Sequence, residues 1–295
     1  MTSSKTDHRR AVALLCFCAA CWSIAGVFVR QLDAAGGFEV TFWRSLFCMA
    51  AVAAALWWRH GRRAFAPIRA MGLPGLLSGA MWAVMFTCFA LALTRTTTAN
   101  TLLVASLSPL LAACLAWVVI GERIRTSTWF AIALALTGIW WMVRDGVSPE
   151  GASGMLIALG VPVAAAINLV TLRRMHARVD LAPAVLVGAL LSCVATLPLI
   201  WPASISAHDL LILALLGVVQ LALPCMLMVR AARHLAPQEI ALIALLEVVL
   251  GPIWAWLGAG EAIPVATMQG GLIVIAALAA DAWLGSARMA TPRPA

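Results

Sequence analysis

The chain has 295 residues, of which 63% are hydrophobic and 11% charged, with a formal net charge of +8. Soluble domains carry about 25% charged residues, so this balance excludes a soluble globular protein and fits a polytopic membrane protein. The basic residues are scattered between apolar runs rather than gathered on one segment, which excludes nucleic acid as a partner.

Residues 1–10 form a short basic tail with Lys5, Arg9 and Arg10. A signal peptide can begin this way, but the apolar run 11–29 is long enough to cross a bilayer and is expected to stay as the first span. About 20 apolar residues cross a hydrocarbon core about 30 Å thick. By that measure further spans are expected at 38–58, 71–93, 99–120, 127–143, 152–171, 181–201, 210–229, 239–258 and 264–284. Ten spans and their short loops account for the whole chain, up to a tail at 286–295. The runs are too long and continuous for barrel strands, and only helices otherwise satisfy the backbone in lipid. The expected fold is all-α, with membrane lipid as its surroundings.

Lys and Arg give the orientation, because cytoplasmic loops carry the excess. One side receives 16 of them, in the two tails and in the loops around Arg59–Arg69, Arg123–Arg125, Arg173–Arg178 and Arg230–Arg233. The other side receives only Arg30, Arg95 and Arg144, and Arg44 lies inside the second span. Both termini are therefore expected in the cytoplasm. Trp57-Trp58 and Trp140-Trp141 fall at span ends and read as interfacial anchors. Gly75 and Gly79 read as sites of close helix approach.

An internal repeat runs through the chain. Ala116-Trp117 followed by Gly121-Glu122 reappears 139 residues later as Ala255-Trp256 followed by Gly260-Glu261. Leu and Ala matches are cheap in membrane helices, but a Trp and a Gly-Glu pair at fixed spacing are not. The two units are expected at 11–146 and 147–285, five spans each. An odd span count places Glu122 and Glu261 on opposite faces, so the halves are expected to be inverted, a plan that recurs in secondary transporters with the substrate held between the halves. Each Glu is expected to cap the helix that follows it.

These two units resemble the EamA-like branch of the drug/metabolite transporter superfamily, and within it the YddG-type amino-acid exporters. The resemblance rests on the two Ala-Trp-x3-Gly-Glu segments, on Leu107-Ser108-Pro109 in the fourth span, on Cys21-Trp22 through Val29-Arg30, and on Phe42-Trp43-Arg44. Glu247 stands apart from Pro252, where many relatives place Glu and Pro together. The resemblance implies a basket of ten helices around a central cavity, with the fifth and tenth peripheral. It also implies export of amino acids or related metabolites across the bacterial inner membrane. Purine-type metabolites or drugs are the alternative cargo, and a membrane enzyme or lipid-handling protein the remote one. The partner is then a small molecule; the oligomeric state is open, with the monomer as one expected form.

Polar groups inside spans are the first candidates for substrate contact, because they are costly to leave in lipid. Arg44 suits a substrate carboxylate, or else snorkels or pairs structurally. Glu247 suits a substrate amine or a coupling proton, or else is a structural acid. Asn100 and Asn168 suit cavity hydrogen bonding or interhelical contact. Trp22, Trp82 and Trp254 suit aromatic pocket lining. Pro109, Pro162, Pro224 and Pro252 lie inside spans, where proline removes a backbone bond, and are candidate hinges. Asp281 is expected at an interface.

No cofactor or metal is expected. Cys16 and Cys18 lie about 200° apart on a helix, and all eight cysteines fall inside apolar runs, so neither a thiolate cluster nor a disulfide framework is indicated. The five histidines all fall in loops, away from the serines of the spans, which disfavours an intramembrane hydrolase and an enzyme generally.

Overall fold

The computed structural model describes residues 2–63, 66–144, 148–174, 181–201, 205–231, 235 and 237–289. Arg178, Arg233, Arg293 and the junction 145–147 between the two expected units lie outside these. Among the described residues, ten helices are long and apolar enough to cross a membrane. They are α1 (Asp7–Val29), α2 (Gly37–His60), α3 (Gly72–Leu93), α4 (Thr98–Ile120), α5 (Thr126–Val143), α6 (Pro149–Arg174), α7 (Ala182–Leu199), α8 (Ala207–Met228), α9 (Glu239–Ala259) and α10 (Val265–Leu284). Among the described residues there is no strand.

The first helix already begins at Thr2, so the basic tail is helical over residues 2–10. Polar residues emerging from a span keep their backbone bonds by continuing the helix. The spans are not all straight. The helix of α1 is interrupted at Ile24, that of α4 at Ser106 and Leu107, and that of α6 at Leu159. In α8, Leu216–Ala222 is a π-helical segment. Pro109 follows the α4 break, Pro162 follows the α6 break and Pro224 follows the π-segment, each sitting where a missing N–H is already accommodated. Pro252 differs: it lies inside the unbroken helix Pro237–Ala259.

The principal packing pairs are α5 with α10, α2 with α7, α3 with α7, α2 with α8, α4 with α6, α1 with α9, α3 with α6 and α1 with α8. Exchanging each helix for the one five places on leaves this set unchanged. Lipid supplies no hydrophobic drive between helices, so close contact rests on small residues. At the α5–α10 contact, a Cβ on Gly138 would lie 2.6 Å from the Gly270 carbonyl oxygen, and one on Gly270 would strike the Gly138 carbonyl. Gly79 meets α7 through Val187, whereas the nearest neighbour of Gly75 is Met71. Trp57, Trp58 and Trp140 are exposed; Trp141 donates its indole N–H to Gln269 Oε1 at 2.9 Å.

Asp209, at the start of α8, fixes the connection between α1 and α2. Its buried carboxylate accepts the backbone N–H groups of Asp33 at 2.8 Å, Ala34 at 3.2 Å and Ala35 at 3.1 Å. Ser206 caps the same helix by accepting from Asp209 N.

Candidate transport cavity

A cavity of about 730 Å³ lies between the halves. At its inner part Trp22 (α1), Arg44 (α2), Trp82, Phe86 and Phe89 (α3), Gln220 (α8) and Glu247 (α9) line it. At its outer part it is lined by Glu122, Arg123, Arg125 and Arg173, all exposed, and by Asp281. The cavity therefore opens at the end where α4 stops.

Arg44 is 2% exposed. It donates from Nη2 to the Phe86 carbonyl at 2.9 Å, and its guanidinium carbon stands 5.6 Å from the centre of the Phe89 ring. Its Nε finds no acceptor, and among the described residues no carboxylate pairs with it. A buried cation without a counter-ion is costly, and this one lines a cavity where an anionic group has room. Trp82 packs on Phe86 with ring centres 5.5 Å apart, and its buried indole N–H is also without an acceptor. Glu247 is half-buried on the opposite half, and among the described residues its carboxylate has no hydrogen-bond or ion-pair partner. A cation, a carboxylate and an aromatic wall thus share one cavity, a combination suited to a small polar molecule with an apolar body.

Three sequence candidates do not line the cavity. Asn100 donates from Nδ2 to Thr96 Oγ1 at 3.1 Å and accepts from Thr267 Oγ1 at 3.2 Å, so it joins α4 to α10. Trp254 donates its indole N–H to Ser23 Oγ at 3.1 Å and is partly exposed. Asn168 keeps a buried, unpaired Oδ1 outside the lining. Of the four prolines only Pro109 lines the cavity. Asp281, expected at an interface, lines the outer cavity and accepts from Thr128 Oγ1 at 2.9 Å.

The repeated Ala-Trp-x3-Gly-Glu segment is a helix stop. Gly121 and Gly260 hold φ of 78° and 63°, a left-handed conformation that costs other residues about 1–2 kcal/mol. Gly121 N–H bonds the Trp117 carbonyl and Glu122 N–H the Ala116 carbonyl; Gly260 and Glu261 repeat both bonds with Trp256 and Ala255. Neither Glu caps the helix that follows it, because a stretch without regular secondary structure separates them from Thr126 and Val265. Instead Glu261 binds Arg30 Nε at 2.9 Å and accepts from Thr98 N at 2.6 Å and Thr98 Oγ1 at 2.8 Å, so it caps α4. Arg30 also donates to the Thr96 carbonyl. Glu122 pairs with Arg173 of α6 at 3.4 Å. The Arg30–Glu261 pair is largely buried and the Arg173–Glu122 pair half-exposed. One end of the bundle is thus tied by a largely buried pair and the other by a half-exposed one.

Sequence reasoning missed Gln220, Thr98 and the two Arg partners. Gln220 is an isolated amide inside the apolar run of α8, which was a usable signal. The Arg30–Glu261 contact joins residues 231 positions apart, for which one sequence holds no signal.

The chain is similar to known proteins over nearly its full length. The family model described as EamA-like transporter family matches twice, over residues 9–144 and 152–280. The Pseudopaline exporter CntI of Pseudomonas aeruginosa, strains UCBPP-PA14 and PAO1, is 24% identical over 263 residues, covering 87% of this chain and 90% of the relative. One protein of known crystal structure superposes with a TM-score of 0.64 at 20% identity, covering 96% of this chain and 99% of that one, a likeness of fold. With ten apolar helices and two family matches, the chain belongs to the EamA-like transporter family of the drug/metabolite transporter superfamily and is a multi-pass transporter of the bacterial inner membrane.

Proposed function

We propose that the protein is a secondary transporter exporting amino acids, aromatic and other neutral ones included, or related small metabolites by alternating access. The observation that carries this reading is Arg44: a buried cation with no counter-ion among the described residues, lining a cavity whose other half supplies Glu247. In this reading Arg44 receives the substrate carboxylate, Trp22 and Trp82 hold its apolar part, and Glu247 meets its amine or carries a coupling proton.

The cation distribution supports cytoplasmic termini, and so a cavity open to the cytoplasm. The two family matches and the packing pairs preserved on exchanging the halves support two inverted units at 11–146 and 147–285. The Arg30–Glu261–Thr98 cluster then closes the periplasmic end, and Arg173–Glu122 is its cytoplasmic counterpart. Pro109, Pro162 and Pro224, beside helix breaks, are the hinges across which the two states interchange.

Purified protein in liposomes should accelerate flux or counterflow of labelled amino acids. No acceleration over empty liposomes across a broad panel would sink the amino-acid assignment. If Glu247 carries a coupling proton, Glu247→Gln abolishes flux driven by a pH gradient, and unchanged flux rejects that role. The likeness to a Pseudopaline exporter favours a second reading in which the cargo is another small metabolite; competition by such compounds and not by amino acids would decide for it.

A further inference from the structure

Gln220 is 2% exposed and lines the inner cavity. Its Nε2 donates to the Trp22 carbonyl at 3.4 Å, which fixes the amide's orientation and leaves Oε1 buried without a donor among the described residues. Buried polar atoms are satisfied in the great majority of cases, and an orphan calls for a reason. The backbone beneath it is also unusual. Gln220 lies within the π-helical segment Leu216–Ala222, a rare geometry that is frequent at functional sites.

That segment is set against Arg44. A Cβ on Gly217 would lie 2.6 Å from the Arg44 carbonyl oxygen, so only glycine lets α8 approach α2 this closely. The wall that holds Arg44 in place also carries Gln220. Phe86, whose carbonyl binds Arg44, and Leu221, next to Gln220, belong to one packed cluster, with Trp22 and Trp82 against it.

Among the described residues, those that line the inner cavity carry orphaned atoms unlike in kind: donors at Arg44 Nε and Trp82 Nε1, and an acceptor at Gln220 Oε1. A simple anion would satisfy the donors and leave the amide oxygen bare. An amine would do the reverse. A molecule bearing both a carboxylate and an ammonium group satisfies all three.

We propose that Gln220 is a specificity-determining residue that accepts a hydrogen bond from the substrate's amino group while Arg44 and Trp82 hold its carboxylate, so that the cargo is an amino-acid-type zwitterion. This rests on the transporter reading above. It adds an acceptor of fixed neutral charge, so selection for the amine persists whatever the protonation of Glu247.

The test is liposome counterflow of the best-carried amino acid of a panel, against its deaminated acid and its decarboxylated amine. The wild-type protein should carry the zwitterion at least about tenfold faster than either analogue, the scale of one lost hydrogen bond to a charged group. Gln220→Leu should shrink the preference over the deaminated acid by about tenfold. Gln220→Glu, which keeps an acceptor oxygen, should retain it. A wild-type protein that carries the deaminated acid as fast as the zwitterion overturns the proposal, with no variant needed. A Gln220→Leu protein that keeps the full preference also overturns it while leaving the transporter reading standing. Absence of flux for every compound in the wild-type protein would instead sink that underlying reading.

Discussion

Arg30 and Glu261 meet at 2.9 Å across the connections that follow α1 and α9, and the carboxylate that binds Arg30 also caps α4 through Thr98. Three helices of two halves are tied at one point. At the other end Arg173 and Glu122 meet at 3.4 Å with both side chains half-exposed. The same Arg–Glu chemistry, with the two Glu at corresponding positions of the repeat, is tight at one end and loose at the other.

The inequality predicts unequal costs. Glu261→Gln leaves Arg30 without its charge partner and weakens the α4 cap, at about 3 kcal/mol, the scale of breaking a largely buried pair. Glu122→Gln removes a solvated pair worth about 0–1 kcal/mol. Thermal unfolding of the purified variants should show a clear fall in Tm for the first and little change for the second. Equal shifts would contradict the assignment of a closed and a loose end.

Glycine at the repeated helix stop answers to backbone conformation. Nothing lies within 4 Å of a Cβ placed on Gly121 or Gly260, so Gly121→Ala and Gly260→Ala introduce strain without a clash. Each is expected to cost about 1–2 kcal/mol, measured by thermal or denaturant unfolding. Replacement by Asn, which tolerates the left-handed region, should cost less than Ala at both sites.

Asp209 serves three backbone donors at once. Asp209→Ala strands those N–H groups, each costing about 1–3 kcal/mol where water cannot replace the acceptor. Hydrogen exchange should speed up at Asp33, Ala34 and Ala35 before any change in the cavity. Unchanged exchange there would contradict the anchoring role.

The α5–α10 contact has no room for a side chain. Gly270→Val must push apart two backbones that now touch at Gly138. Overpacking of this kind typically costs about 1–3 kcal/mol, and the variant should unfold at a lower temperature. Met268→Val, at an exposed position two residues away on α10, should not.

Much of the fold was legible in the sequence because length and hydropathy alone decide which runs cross a bilayer, and each of the ten runs is bounded by charge, Gly or Pro. The doubled Gly-Glu was legible because two rare features recur at one spacing. What the Glu side chains bind was not: Arg30 and Thr98 come to Glu261 only through packing of distant helices. Trp254 and Trp22 looked alike as tryptophans deep in spans, yet one donates to Ser23 and the other lines the cavity. Helices apolar on every face carry no moment to say which side turns inward, so cavity residues were harder to read than spans. The π-segment of α8 shifts register within an ordinary apolar run, and that shift leaves no mark in composition.

In the proposed cycle Arg44 holds the substrate carboxylate in the cavity, and counterflow of labelled amino acids into liposomes reads that contact. The wild-type protein should exceed empty liposomes for at least one amino acid. Arg44→Gln, matched to the wild type in Tm, should lose at least about tenfold of that rate, as expected when a charge-assisted contact of roughly 1.5–3 kcal/mol is removed. A stable Arg44→Gln protein that transports at the wild-type rate would contradict the account.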